Sequence, residues 1–247
     1  MIYPFVYELK TIMYEIPQHS STDDPLTFVC LHGAGQTALS FGLLAQALHQ
    51  SMKAACCVMA FDARGHGSTL TQDETNLSLD QLVSDLNGVV KETVLKGAVV
   101  LVGHSMGGAV VAKAALSGEV GGRPLVGVVV IDVVEGTALA ALSGMDRVLE
   151  SRPKTFKSPE AAIKWAIQSG TLRNAASARI SMPSQLVQKE GRWDWRIDLA
   201  TTQPYWVGWF TGLSEHFLGA KAPKLLLLAG TDRLDKTLMI AHMQGKG

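Results

Sequence analysis

Two patterns of apolar and polar residues alternate along this chain. Short apolar runs recur at Thr27–Leu31, Ala55–Phe61, Val99–Val102, Leu125–Ile131 and Lys224–Ala229, and each leads into a turn or loop. Such runs predict strands, and the mostly β-branched run at Leu125–Ile131 predicts a central parallel strand buried on both faces. Between them lie segments of helical period. Ser78–Val94 puts Leu79, Leu82, Val83, Leu86, Val89 and Val90 on one face, with Ser78 as N-cap. Ser40–Leu48, Ala109–Leu116 and Ala138–Glu150 read as helices too. This alternation predicts a doubly wound α/β sheet, whose ligand site lies at the carboxyl ends of its strands. Ahead of it, Phe5–Ile16 alternates as a strand pair or one bent strand, and Ser20–Pro25 is a polar turn.

The pattern changes at Arg152. Residues 152–203 are polar and display no strand pattern; one helix is predicted from Ser158 as N-cap, through Pro159 at the first helical position, to Ser169. This stretch reads as an inserted helical lid over the site, within a single domain spanning 1–247. Beyond it, Pro204–Leu218 is predicted as one helix with Trp206, Trp209, Phe210 and Phe217 on an aromatic packing face that also closes the pocket.

Composition narrows the class. The chain has 247 residues, 47% apolar and 18% charged, enough to build a large core. Lys plus Arg and Asp plus Glu are both 22, so no net charge draws the protein to nucleic acid or to acidic membranes. Cys30, Cys56 and Cys57 fall in apolar runs and are expected as buried thiols of a reducing compartment. No basic-then-apolar leader opens the chain and no apolar run reaches the length of a membrane span. The expectation is a soluble protein of the cytoplasm or nucleus.

The chemistry centres on Gly103-His104-Ser105-Met106-Gly107, where a strand runs into a Gly-x-Ser-x-Gly turn and then a helix. Strand, sharp turn and helix form the context of a nucleophile elbow, which projects the Ser105 hydroxyl at the top of the sheet. Orphan N–H groups at the start of the following helix favour negative charge there. The strand Thr27–Leu31 ends in His32-Gly33-Ala34-Gly35, a loop able to offer a backbone N–H to an oxyanion. Ala34 and Met106, the residue after the nucleophile, are the expected oxyanion donors. His32 reads as a structural imidazole bonded to loop backbone, and His66 as a residue holding the glycine turn around it. Asp132 closes one strand and Asp232 follows another, so both are candidate acids. A serine needs a base. Only His216 and His242 follow Asp132, each in a helical segment, and neither has the place of a base after a final strand.

Several blocks resemble the protein phosphatase methylesterase family. They are His32-Gly33-Ala34-Gly35, Gly103-His104-Ser105-Met106-Gly107-Gly108, Asp132-Val133-Val134-Glu135-Gly136-Thr137, Arg152-Pro153-Lys154-Thr155-Phe156, Tyr205-Trp206-x-Gly208-Trp209-Phe210 and Pro223–Asp235. The resemblance implies an α/β-hydrolase fold. It implies a serine carboxylesterase that removes the methyl ester from the C-terminal leucine of the type 2A protein phosphatase catalytic subunit, with no metal or organic cofactor. Carried over by motif, Ser105 is the nucleophile and Asp132 the acid, and the expected state is a monomer. The family's histidine lies in a Gly-His segment after Met-Gln-Gly-Lys. Here Met243-Gln244-Gly245-Lys246 is followed by Gly247. The final strand, its helix and the base are therefore expected to be missing. The alternative reading is a phosphatase-binding form impaired by the lack of that histidine.

Overall fold

The computed structural model describes residues 11–15, 25–52, 56–93, 97–230 and 235–246. Among these residues the main sheet runs β1-β3-β2-β4-β6-β10. Its members are β1 (Thr11–Glu15), β2 (Leu26–Leu31), β3 (Cys56–Phe61), β4 (Val99–His104), β6 (Arg123–Ile131) and β10 (Lys224–Leu227), with the short β5 (Glu119–Val120) paired to the start of β6. The pairs from β3 to β10 are parallel, and β1 joins β3 antiparallel. β1 lies inside the alternating stretch Phe5–Ile16. The rest of that stretch, most of the turn Ser20–Pro25, and Asp232 lie outside the described residues.

Strand geometry distributes the apolar runs to both faces. Along β2, Val29 and Leu31 enter one core while Phe28 and Cys30 enter the other. Val99 and Leu101 on β4 alternate with Val100 and Val102, and Val128 and Val130 on β6 alternate with Val129 and Ile131, in the same way. The larger core is covered by α2 (Leu79–Glu92), α3 (Met106–Ala114), α8 (Trp206–Phe210), α9 (Leu213–Gly219) and α10 (Lys236–Met243). The smaller is covered by a 3-10 turn at Ala38–Phe41 and α1 (Gly42–Ser51). The cap on α2 is Ser78, whose hydroxyl accepts from the Gln81 N–H.

Three expectations on element boundaries are corrected. The segment Ala138–Glu150 is two helices, α4 (Glu135–Leu142) and α5 (Met145–Ser151), parted at Gly144. Pro204–Leu218 is not one helix either. Its first residues close a 3-10 stretch, Leu199–Tyr205, and α8 and α9 are separated at Gly212, which adopts φ 80°. The Glu135 carboxylate accepts from the Gly212 and Ser214 N–H groups at 2.9 and 3.1 Å, so a side chain from α4 supplies the cap on which α9 starts.

The lid is the third correction. Its helix α6 (Pro159–Gln168) begins at the Ser158 cap as expected, and α7 (Ala175–Ser181) follows. The same stretch also holds a three-stranded antiparallel sheet, β7 (Thr155–Phe156), β9 (Arg192–Trp195) and β8 (Leu186–Lys189). Strands of two to four residues with charged side chains on the exposed face leave no alternating run long enough to read. The lid has a core of its own, in which Phe156, Ala162, Ala166, Ala178, Met182 and Leu186 pack with Trp165, Trp193 and Trp195.

Candidate active site

Strand order decides which loops meet. β2, β4 and β6 are neighbours, so His32–Gly33, Ser105 and Asp132 emerge side by side at their carboxyl ends. The Ser105 N–H donates to the Ile131 carbonyl at 3.2 Å, tying the elbow to the residue before Asp132. Ser105 takes φ 53° and ψ −117°, a conformation that non-glycine residues avoid. Two close approaches enforce it. A Cβ on Gly103 would lie 2.2 Å from the Gly107 carbonyl oxygen, and one on Gly107 would lie 2.2 Å from that of Leu31. The elbow exists because neither position carries a side chain.

Asp132 also has positive φ, 54°. Its N–H donates to the Leu227 carbonyl at 2.7 Å, and its Oδ1 accepts from the Ala229 N–H at 3.1 Å. The end of β10 thus fixes the carboxylate at the strand end beside Ser105.

The His32–Gln36 loop is held by its own polar groups. Gly33's carbonyl accepts from His32 Nδ1 at 2.8 Å and from the Gln36 N–H at 3.1 Å. His32 Nε2 in turn accepts from the Ala63 N–H at 2.9 Å, which makes Nδ1 the protonated nitrogen. A trans peptide plane points C=O and the next N–H in opposite directions. With the Gly33 carbonyl held inward, the Ala34 N–H is aimed away from those donors. Burial drives the His32 pKa down to about 4, so the ring is neutral. His66 donates from Nδ1 to the Arg64 carbonyl at 2.8 Å, and burial lowers it to about 3. Both histidines therefore have the loop-building roles that the sequence suggested. The neighbouring Arg64 is equally committed, holding Asp85 through two bonds of 2.6 and 2.8 Å in the core.

Two residues of this corner were not among the sequence candidates. Gln36 Oε1 accepts from the Gly33 N–H at 3.1 Å and also meets His104 Nδ1 at 3.2 Å. His104 carried a signal, being inside the elbow motif, but its position before the nucleophile does not reveal where its ring goes. Gln36 carried none.

The later histidines sit elsewhere. His216 lies on α9, where burial lowers its pKa first and the Lys113 charge adds to that. His242 lies on α10 and lines a cavity of about 680 Å³ with Leu226, Leu228, Ala229 and Leu238. Trp206, Trp209, Phe210 and Phe217 are all buried in the main core. The Trp209 indole donates to the Leu77 carbonyl at 2.6 Å. This face is packing.

The lid is seated beside the site. Thr37 Oγ1 and Ser184 Oγ are 2.5 Å apart, and a Cβ on Gly35 would lie 2.8 Å from the Leu199 side chain. Leu199 also lines a cleft of about 460 Å³ with Arg152, Lys154, Lys189, Asp194 and Trp195. Leu199 thus lies between this cleft and the glycine loop. Among the described residues no group of three His, Cys, Asp or Glu side chains is arranged to hold a metal ion.

A parallel sheet with a strained serine at the turn after β4 and an aspartate at the end of β6 defines the class. The chain belongs to the alpha/beta hydrolase family, whose model matches residues 28–247. Solved structures agree on the fold. A crystal structure of E-2-(acetamidomethylene)succinate hydrolase superposes with TM-score 0.72 at 20% identity, over 97% of this chain and 87% of that one. An M. tuberculosis esterase superposes with TM-score 0.66 at 21% identity, over 95% and 80%.

Within this family the chain belongs to the protein phosphatase methylesterase group. It is 40% identical over 272 residues to protein phosphatase methylesterase 1 of Bos taurus, covering 92% of this chain and 70% of the relative. It is 45% identical over 249 residues to the Gibberella zeae protein of that name, covering 94% and 62%. An Emericella nidulans relative is 44% identical over 259 residues, covering 95% and 63%. Against several of these relatives the chain spans about 60% of the full length.

Proposed function

We propose that this chain is a serine carboxylesterase that removes the methyl ester from the C-terminal leucine of the type 2A protein phosphatase catalytic subunit. The observation that carries the reading is Ser105 at φ 53°, one strand from Asp132 and against the Gly33–Ala34 loop. The names of the relatives supply the substrate class.

In this mechanism Ser105 Oγ attacks the ester carbonyl. The Ala34 and Met106 N–H groups take the tetrahedral oxyanion, Met106 being the first residue of α3, where backbone donors lack helical partners. The serine proton passes to an imidazole base, which then protonates the departing methoxide. Water attacks the acyl-enzyme and releases the free leucine carboxylate. Asp132 orients that base and stabilises its cation. In the family that this chain resembles, the base is the histidine of a Gly-His segment that follows Met-Gln-Gly-Lys. The protein acts as a monomer on the phosphatase tail, in the cytoplasm or nucleus.

The test is methanol release from a peptide ending in leucine methyl ester. It compares residues 1–247, a form extended through the Gly-His segment, and Ser105→Ala in each. Release by the extended form should fall on the order of 10⁴-fold in Ser105→Ala. A folded extended form that releases no methanol, or releases it equally well without Ser105, overturns the proposal.

A further inference from the structure

We infer that Gln36 and His104 form a positioning pair that holds the Gly33–Ala34 peptide against the Ser105 elbow, with His104 kept in its Nδ1-protonated form. The inference rests on the esterase reading for its catalytic meaning and on bond geometry for everything else.

The Gly33 N–H points at one side-chain atom of Gln36 at 3.1 Å, so that atom must be the amide oxygen. The same oxygen lies 3.2 Å from His104 Nδ1. An amide oxygen brings no hydrogen, so the hydrogen of this contact belongs to Nδ1. His104 Nε2 is then left with its lone pair. Gln36 therefore grips Gly33 twice, through its side-chain oxygen on the N–H and through its own N–H on the carbonyl. His104 is what keeps the Gln36 side chain aimed.

Packing reinforces the arrangement. A Cβ on Gly33 would stand 2.9 Å from His104 Nδ1 and 3.1 Å from Ser105 Cβ, so the loop backbone rests on both residues of the elbow. One peptide further on is the Ala34 N–H. An oxyanion donor acts only when it stands about 3 Å from where the charge develops. The pair thus sets the distance between Ser105 and its donor by holding the loop backbone.

Burial disfavours the His104 imidazolium, and the charge that reaches it from Asp132 across the end of β6 favours it. A negative charge placed at position 36 acts in the same sense as Asp132.

The first test needs no turnover. Long-range proton–nitrogen NMR of the histidine-labelled protein, assigned against His104→Leu, should show His104 protonated on Nδ1. Amide exchange of Gly33 should accelerate on Gln36→Leu and on His104→Leu, and by the same factor in the double variant. The second test is fluorophosphonate labelling of Ser105 in the form extended through the Gly-His segment. Gln36→Leu should slow it about tenfold, less than the hundredfold or more of losing an oxyanion donor outright. Gln36→Glu should restore it, because a carboxylate accepts both bonds, and should move the pH inflection of labelling upward.

His104 protonated on Nε2, or Gly33 exchange that ignores both substitutions, overturns the pair. So does labelling that Gln36→Glu restores no better than Gln36→Leu. Failure of the esterase reading looks different. Ser105 then labels, or the NMR signature holds, while the leucine methyl ester survives.

Discussion

The corner around Ser105 and the 152–203 insertion that packs beside it are built on opposite principles. The corner is shaped by exclusion. Gly103 and Gly107 sit where a Cβ would be 2.2 Å from a backbone oxygen, and Gly33 lies against His104 and Ser105. The lid is shaped by filling. Phe156, Trp165 and Trp195 pack tilted or edge to face with ring centroids 5.4 to 5.8 Å apart, and the Arg152 guanidinium lies 3.9 Å above Trp195. The Trp195 indole also donates to the Pro153 carbonyl at 2.7 Å. A region shaped by exclusion tolerates no added atoms. A region shaped by filling tolerates no removed ones. The first suits a strained serine, the second an insertion with a core of its own.

The sharpest break of that contrast is Gly107→Ala. The added methyl has only the Leu31 backbone to displace, so a loss above about 4 kcal/mol and no cooperative melt are expected, read by circular dichroism. The same methyl added to a solvent-facing lid position such as Gly170, which has nothing within 4 Å, should leave the melt intact apart from the strain of its φ of 76°.

Acid should separate the two regions next. His32 and His66 are folded as neutral rings with pKa near 4 and 3, against 6.5 when unfolded. Their contribution is complete above pH 6.5 and is lost as pH falls toward 4 and 3, because the unfolded chain then binds more protons. Each is worth on the order of 3 kcal/mol. Residues 152–196 of the lid contain no histidine. Hydrogen exchange at pH 5 should therefore show the His32–His66 corner opening ahead of α6 and α7. Equal loss in both regions would end the distinction.

Trp195→Ala probes the other side. It removes two ring contacts, the guanidinium stack and a hydrogen bond, a loss of about 3 kcal/mol for a partly buried aromatic. The loss should be local. Exchange should rise through 155–195 while β2, β4 and β6 stay protected.

The smallest effect is the most specific. Ser105→Gly relieves the positive φ and should stabilise the chain by about 1 kcal/mol while abolishing Ser105 labelling. A destabilised Ser105→Gly would show that the elbow carries no strain.

Much of this was legible because it is local. The apolar runs of β2, β3, β4 and β6, the Ser78 and Ser158 caps, and the Gly-x-Ser-x-Gly turn follow from residues within a few positions of one another. The break at Gly212 was not legible, because its cap is Glu135, 77 positions away. Nor was the lid sheet, whose β7 strand pairs with β9 across a long excursion. His32 and His66 were assigned correctly from their glycine turns, since a histidine in such a turn has backbone groups within reach. Gln36 was missed, because its partner His104 is 68 positions further on.

Local residue order dictates that an α/β sheet carries a serine on a sharp turn, since strand period, glycine placement and caps act over one turn of chain. It also placed the aspartate at a strand end. The tertiary structure alone decided that β4 and β6 are neighbours, that Ala229 holds the Asp132 carboxylate, and that Gln36 reaches both Gly33 and His104. These depend on which distant segments lie side by side in the sheet, and hydrogen bonds of about 3 Å form only once that packing has brought them together.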